Sequence, residues 1–113
     1  MNISLMKISD YDLLEYWEEF MDECSDCYSW DYSEYCNEIY KRDIIQSKID
    51  NGEFTDTLLE KLTLLDQRFK KLLQENVTLP KGKYWWNMGV LKLAGESYCY
   101  YMLSTYGIVV SEC

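Results

Sequence analysis

Turn-forming residues are sparse and unevenly placed, and this feature limits the folds that the chain can adopt. The single proline is Pro80, and the first of five glycines is Gly52. Before residue 76 the chain therefore has three long stretches without a strong break. Uninterrupted stretches of this length favour helices.

Two helices are predicted in the first half of the chain. Ser9 is a suitable N-cap for a helix over about 10–25, and acidic residues in its first turn suit the helix dipole. Ser33 is the expected N-cap of a helix over about 33–50, which Asn51 and Gly52 end. Apolar residues recur at helical spacing in both: Leu13, Trp17, Phe20, Met21 and Cys24 in the first, and Cys36, Ile39, Tyr40, Ile44 and Ile49 in the second.

A third helix is predicted to follow Thr55 as its N-cap. Its apolar residues alternate spacings of four and three, which is the seam of a bundle helix. Lysines near its end suit the negative end of the helix dipole. The seam consists of Leu58, Leu62, Leu65, Phe69 and Leu72.

The segment after Asn76 has two interpretations. Spacings of three and four predict a fourth helix over about 84–105 that ends at Gly107, whereas the aromatic residues at its start also suit a hairpin of 84–93 with 97–105. Residues 107–113 are expected to form a short docked or frayed tail. The fold class is therefore predicted as all-α, one domain over 1–113 with about four helices, and the alternative is α+β with a C-terminal hairpin at 84–105.

Charge and composition restrict the partners and the location. The 113 residues are 48% hydrophobic, enough for one core, and carry a formal net charge of -9. A negative protein is repelled by phosphate backbones and anionic lipids, so no direct binding to nucleic acid or membrane is expected. The start of the chain lacks the basic and apolar pattern of a secretory signal, which predicts a cytoplasmic protein.

The five cysteines are odd in number and are expected to be reduced thiols without an obligatory disulfide. Cys24 and Cys27 have the spacing of redox and zinc sites, and a three-thiolate site with Cys36 is conceivable, with an aspartate or Cys99 as fourth ligand. The second closely spaced pair of a zinc ribbon is missing. Partly buried free thiols are therefore preferred, and no metal or cofactor is predicted.

Histidine is absent from the sequence. This removes the commonest proton-transfer residue near neutral pH and the nucleophile systems that depend on it. Carboxylate pairs such as Glu15 with Glu19 are expected on a solvated helix face. The chain is predicted not to be an enzyme.

The segment 10–38 is the most unusual feature of the composition. It contains 11 acidic residues and no lysine or arginine, and aromatic residues are interleaved with the acids. Helical spacing buries only some of these rings, so others are expected at the surface beside carboxylates. Such a face attracts cationic partners, and exposed tyrosine and tryptophan are frequent binding hot spots.

The alternative is a face that only keeps the protein soluble. Binding is preferred because basic groups of a partner would relieve the repulsion among the carboxylates.

A small, acidic, helix-rich chain with this segment resembles the immunity proteins that protect bacteria from their own nuclease toxins, of the colicin and contact-dependent growth inhibition types. The resemblance implies a basic partner, a nuclease toxin domain that cleaves RNA or DNA, whose substrate site the acidic face covers. The partner-binding residues are predicted to be Glu15, Tyr16, Glu18, Glu19, Asp22, Glu23, Asp26, Trp30, Asp31 and Tyr32.

Three other functions remain open from the sequence. The same acidic face would suit a nucleic-acid mimic that blocks a host DNA- or RNA-binding protein. The cysteines would suit a small metal or redox protein. An adaptor would use the aromatic C-terminal half, which contains Tyr84, Trp85, Trp86, Tyr98, Tyr100, Tyr101 and Tyr106.

Overall fold

A computed structural model describes residues 8–113 and shows a fold dominated by helices. The long helices are α1 (Asp10–Ser25), α2 (Tyr32–Asp50) and α3 (Asp56–Leu72). Then follow β1 (Leu73–Thr78), the single turn α4 (Trp85–Met88), β2 (Gly89–Leu91), β3 (Leu93–Ala94), α5 (Glu96–Tyr106) and β4 (Ser111–Glu112). The predicted small helical fold is confirmed.

The first and third helices begin where the sequence predicts. The Ser9 hydroxyl accepts a hydrogen bond from the Asp12 N–H at 3.1 Å, and the Thr55 hydroxyl accepts one from the Leu58 N–H at 3.3 Å. Each bond satisfies one backbone donor that the first turn leaves free. The predicted N-cap Ser33 is wrong, because the Asp31 carboxylate accepts from the Glu34 N–H at 2.9 Å and α2 begins two residues earlier than Ser33 would allow.

An aromatic core holds α1 against its neighbours. Phe20 of α1 lies within 5.8 Å, between ring centroids, of Phe69 on α3 and within 5.6 Å of Tyr35 on α2. Tyr35 in turn contacts Tyr98 of α5, with centroids 4.9 Å apart. Large rings bury much apolar area, and their tilted arrangement is the favoured one. The core therefore fixes which side of α1 faces the solvent.

The segment 84–105 differs from both predictions. The hairpin is wrong, since β2 pairs antiparallel with β1 and β3 pairs parallel with β4. The predicted helix is present only as α4 and as α5, which ends at Gly107 in the left-handed region (φ 69°). Between these two helices, Gly89 packs so closely on Leu73 of β1 that a Cβ would overlap that side chain. This strand pairing replaces the helix.

The C-terminal tail is docked on the protein body. The Ser111 N–H donates to the Lys92 carbonyl at 3.1 Å, and the Cys113 N–H donates to the Ala94 carbonyl at 3.0 Å. Cys113 also forms a disulfide with Cys27, so the prediction of no obligatory disulfide is contradicted. The bond joins the α1–α2 connection to the end of the chain.

None of the helices formed by residues 8–113 combines the length and the apolar character that crossing a lipid bilayer would require.

Candidate partner-binding face

The outward side of α1 carries a continuous row of carboxylates, named here the acidic ridge. Its members follow one another at spacings of one or three residues on the side opposite the buried residues of the helix. From first to last the row extends about 16 Å along the helix axis. The acidic ridge consists of Glu15, Glu18, Glu19, Asp22 and Glu23 of α1, together with Asp26, the C-cap of the helix.

Basic residues of α3 compensate one edge of the acidic ridge. The Lys61 ammonium lies 3.1 Å from the Glu18 carboxylate, and the Arg68 guanidinium lies 2.9 Å from the Asp22 carboxylate. All four side chains are substantially exposed, so each pair contributes little to stability. Both pairs are weak enough for a more basic partner to replace.

The remaining carboxylates keep their charge uncompensated. No basic side chain of residues 8–113 lies within ion-pairing distance of Glu15, Glu19, Glu23 or Asp26. Glu19 and Asp26 are exposed, and Glu15 is half-buried. This part of the acidic ridge therefore presents a net negative potential to the solvent.

Two aromatic side chains flank the acidic ridge on its α2 side. Trp30 is 57% exposed, and its indole N–H donates to the Glu23 carboxylate at 3.3 Å. Tyr16 is partly exposed, and the Lys41 ammonium lies 5.3 Å from its ring centroid. Trp30 thus offers an open apolar surface that is already oriented beside a carboxylate, which is the composition of many binding hot spots.

Asp31 and Tyr32 lie at a different place from the other predicted residues. Asp31 caps α2, and the Tyr32 ring stacks on Tyr101 of α5 with centroids 4.2 Å apart. Burial raises the pKa of Tyr32, so its hydroxyl stays protonated. The two residues line a cavity of about 470 Å³ whose other wall includes Tyr100, which is 72% exposed.

The conceivable three-thiolate site is not formed. Cys27 is bonded to Cys113, Cys24 is buried and Cys36 is exposed on α2. Within residues 8–113, no three cysteine, aspartate or glutamate side chains are grouped closely enough to hold a metal ion. Burial raises the pKa of the Cys24 thiol well above its usual range, which keeps it protonated and unreactive.

Two sets of residues that neighbour the predicted site residues cannot be found from α1 alone. Lys61 and Arg68 come from α3, and their register against the acidic ridge depends on how the two helices pack. Tyr100 and Tyr101 come from α5 and complete the wall beside Tyr32. The cluster of tyrosines in 98–106 predicts an aromatic surface on this segment. It does not indicate that this surface packs beside Tyr32 of α2.

The chain matches no known family model, no curated protein and no solved structure.

Proposed function

We propose that this chain is an immunity protein, which binds a cognate basic toxin domain and neutralises it. The observation that carries the proposal is the uncompensated part of the acidic ridge beside the exposed ring of Trp30. A nuclease fits this face best, because its substrate site holds phosphates with lysines and arginines that carboxylates can occupy instead. The chain would act in the cytoplasm, where such a toxin attacks nucleic acid.

The charges on the acidic ridge support binding more than a purely solubilising surface. Glu15, Glu19 and Glu23 are spaced four apart, an arrangement in which like charges destabilise a helix. Basic groups of a partner would remove that repulsion and would accelerate association. Pairs already held by Lys61 and Arg68 would rearrange at little cost because they are exposed.

The test starts with capture of the partner from the native organism by the tagged protein at low salt. The retained protein is identified by mass spectrometry, purified, and assayed for nuclease activity with and without this chain. We expect a basic nuclease domain, captured at defined stoichiometry and inhibited by the wild-type chain. Capture of a nucleic-acid-binding host protein without nuclease activity would instead favour the mimicry function.

The variant Glu15→Lys, Glu19→Lys, Asp26→Lys then tests the acidic ridge itself. We expect its affinity for the captured nuclease to fall by about 100-fold or more, since like charges would face each other across the interface. The matched control Glu60→Lys, Glu75→Lys, Glu112→Lys has the same change in net charge at exposed positions away from the ridge. Equal affinity of the two variants would show that only overall charge matters and would contradict the proposed face.

A further inference from the structure

A second site lies where the ends of α1 and α3 meet the C-terminal tail. A cavity of about 330 Å³ opens there, and the Cys27–Cys113 disulfide forms part of its wall. Lys71 and Lys92 also line it, and Leu93 gives it an apolar side. Cys113 is exposed and Cys27 is half-buried, so the disulfide is reachable from the cavity.

We propose that this cavity is a site of thiol–disulfide exchange with a small thiol that carries negative charge, such as glutathione. The inference does not rest on the proposed immunity function. It rests on three features found together: an accessible disulfide, a cavity of the size of a small ligand, and two lysine residues in its lining.

The exchange proceeds through a mixed disulfide. The thiolate of the small molecule attacks Sγ of Cys113, the S–S bond breaks, and its electron pair leaves on Sγ of Cys27 as a thiolate. A second small thiolate then attacks the mixed disulfide and releases Cys113 as a thiolate. Two small thiols become one small disulfide, and the protein disulfide becomes two thiols after protons are taken from water.

The attacking group must come from outside the protein. Cys24 also lines the cavity, but it is buried, and burial keeps its thiol protonated at neutral pH. A protonated thiol is not a nucleophile in this reaction. Cys24 is therefore part of the wall in the oxidised protein and does not compete with the small thiol.

Lys71 and Lys92 give the site its charge preference. Their ammonium groups attract an anionic thiol and stabilise the thiolate that leaves on Cys27. Asp26 is the acidic side chain in the same lining, so the ionisable side chains of the lining carry a net positive charge. Lys92 is fixed by its backbone, because its N–H donates to the Leu72 carbonyl at 2.9 Å and its own carbonyl accepts from Ser111.

Two features of the local backbone act on the exchange: the conformation of Cys27 favours opening of the disulfide, and the docked tail favours its re-formation. Cys27 has φ 91°, a conformation that residues other than glycine adopt only at an energetic cost. Opening the disulfide frees this residue to relax next to Asp26, at the end of the acidic ridge. The tail meanwhile stays near through the hydrogen bonds of Ser111 and Cys113 to Lys92 and Ala94, which favours re-oxidation.

The test compares two small thiols of similar shape, anionic mercaptoethanesulfonate and neutral mercaptoethanol, on the full oxidised chain. Rates of disulfide opening are followed by mass spectrometry and corrected for the concentration of thiolate. We expect the anionic thiol to react about three- to tenfold faster at low salt, and we expect the difference to shrink at high salt. Glutathione is expected to appear as a mixed disulfide on the peptide that contains Cys113.

The variant Lys71→Met, Lys92→Met should lose the preference for the anionic thiol. The control Lys81→Met, Lys83→Met has the same net charge but changes lysines outside the cavity, and it should keep the preference. Circular dichroism of both variants checks that they fold. The proposal is overturned if the two variants behave alike, if glutathione is found on Cys24, Cys36 or Cys99 instead, or if the oxidised protein contains no bond between Cys27 and Cys113.

Discussion

The guanidinium of Arg42 donates to both carboxylate oxygens of Asp66, at 3.2 Å from Nε and 2.8 Å from one terminal nitrogen. The indole N–H of Trp17 donates to the same carboxylate at 3.2 Å. The ring centroid of Trp86 lies 4.0 Å from the guanidinium carbon. These contacts join α1, α2, α3 and α4 around one buried ion pair, which fixes the rotation of α1 and therefore the direction of the acidic ridge.

Replacing Arg42 with methionine is expected to lower the free energy of unfolding by about 3–5 kcal/mol. Arg42 is 4% exposed, so its removal leaves the Asp66 carboxylate largely buried without a counterion. Urea denaturation measures the loss. The neighbouring Lys41→Met breaks a more exposed pair with Glu38 and should cost at most about 1 kcal/mol. Adding Asp66→Leu to Arg42→Met should recover part of the loss, whereas a fully stable Arg42→Met protein would show that the pair is not needed.

Removing the hydroxyls of Tyr35 and Tyr98 should have opposite effects on stability. The Tyr35 hydroxyl is buried without a hydrogen-bond partner among residues 8–113, so Tyr35→Phe should leave the free energy of unfolding unchanged or raise it by up to about 1 kcal/mol. The Tyr98 hydroxyl accepts from the Leu91 N–H at 3.1 Å. Tyr98→Phe leaves that buried donor unpaired and should cost about 1–3 kcal/mol. Urea denaturation of the two variants side by side checks the difference, and equal effects would contradict it.

Helices α1 and α3 could be predicted because their signals are local. Ser9 and Thr55 each cap a helix whose apolar residues recur within a few positions, and both the caps and the spacing stand in one short stretch. The start of α2 was predicted wrongly because two nearby residues can cap a helix. Asp31 and Ser33 both have side chains that cap helices, and only the backbone between them decides which one reaches a free N–H.

The C-terminal third depends on contacts between distant residues. Gly89 and Leu91 form a strand because Leu73 and Thr78 lie beside them, and Asn76 adopts φ 59° within the irregular part of that pairing. The disulfide joins residues 86 positions apart, which no local pattern indicates. Helical spacing therefore held for α4 and α5 and failed over 89–94, where the two short strands form.

The candidate site divides in the same way. The shared side of Glu15, Glu19 and Asp26 follows from the period of one helix and could be predicted. The ion pair between Asp22 and Arg68 depends on how α1 and α3 pack, so it could not be predicted from the sequence. The functional part of the prediction remains a proposal that the binding experiments test.

Neutralising Glu19 is expected to stabilise the isolated protein. Glu19 has Glu15 four residues before it and Glu23 four residues after it, and each such pair of like charges destabilises a helix. Glu19→Gln should therefore raise the free energy of unfolding by about 0.4–1 kcal/mol at low salt, and the gain should fade at high salt. Glu18→Gln is the control: it also relieves repulsion, by Glu15 and Asp22, but it removes the ion pair with Lys61, so it should stabilise less than Glu19→Gln. A gain that does not depend on salt would contradict this electrostatic explanation.

Stability is expected to fall as the pH rises above about 10, the ordinary pKa of tyrosine and nearly that of lysine. Burial raises the pKa of Tyr35 and Tyr98, so the folded protein keeps protons that the unfolded chain releases. A hydrogen bond from Lys48 to Asp10 raises the pKa of Lys48, and this ion pair stabilises the fold until the ammonium loses its proton. Both pKa shifts act in the same direction. At alkaline pH the folded state binds more protons than the unfolded chain, so the free energy of unfolding falls as the pH rises.

Urea denaturation between neutral pH and about pH 11 measures this loss, and ultraviolet absorbance follows the formation of tyrosinate. The buried tyrosines should ionise together with unfolding. Tyr35→Phe removes one proton that only the unfolded chain releases in this range, so stability should fall less steeply with pH in this variant than in the wild type. If Tyr35 and Tyr98 ionised while the protein stayed folded, or if the slope were the same in both proteins, burial of these hydroxyls would not be the cause of alkaline unfolding.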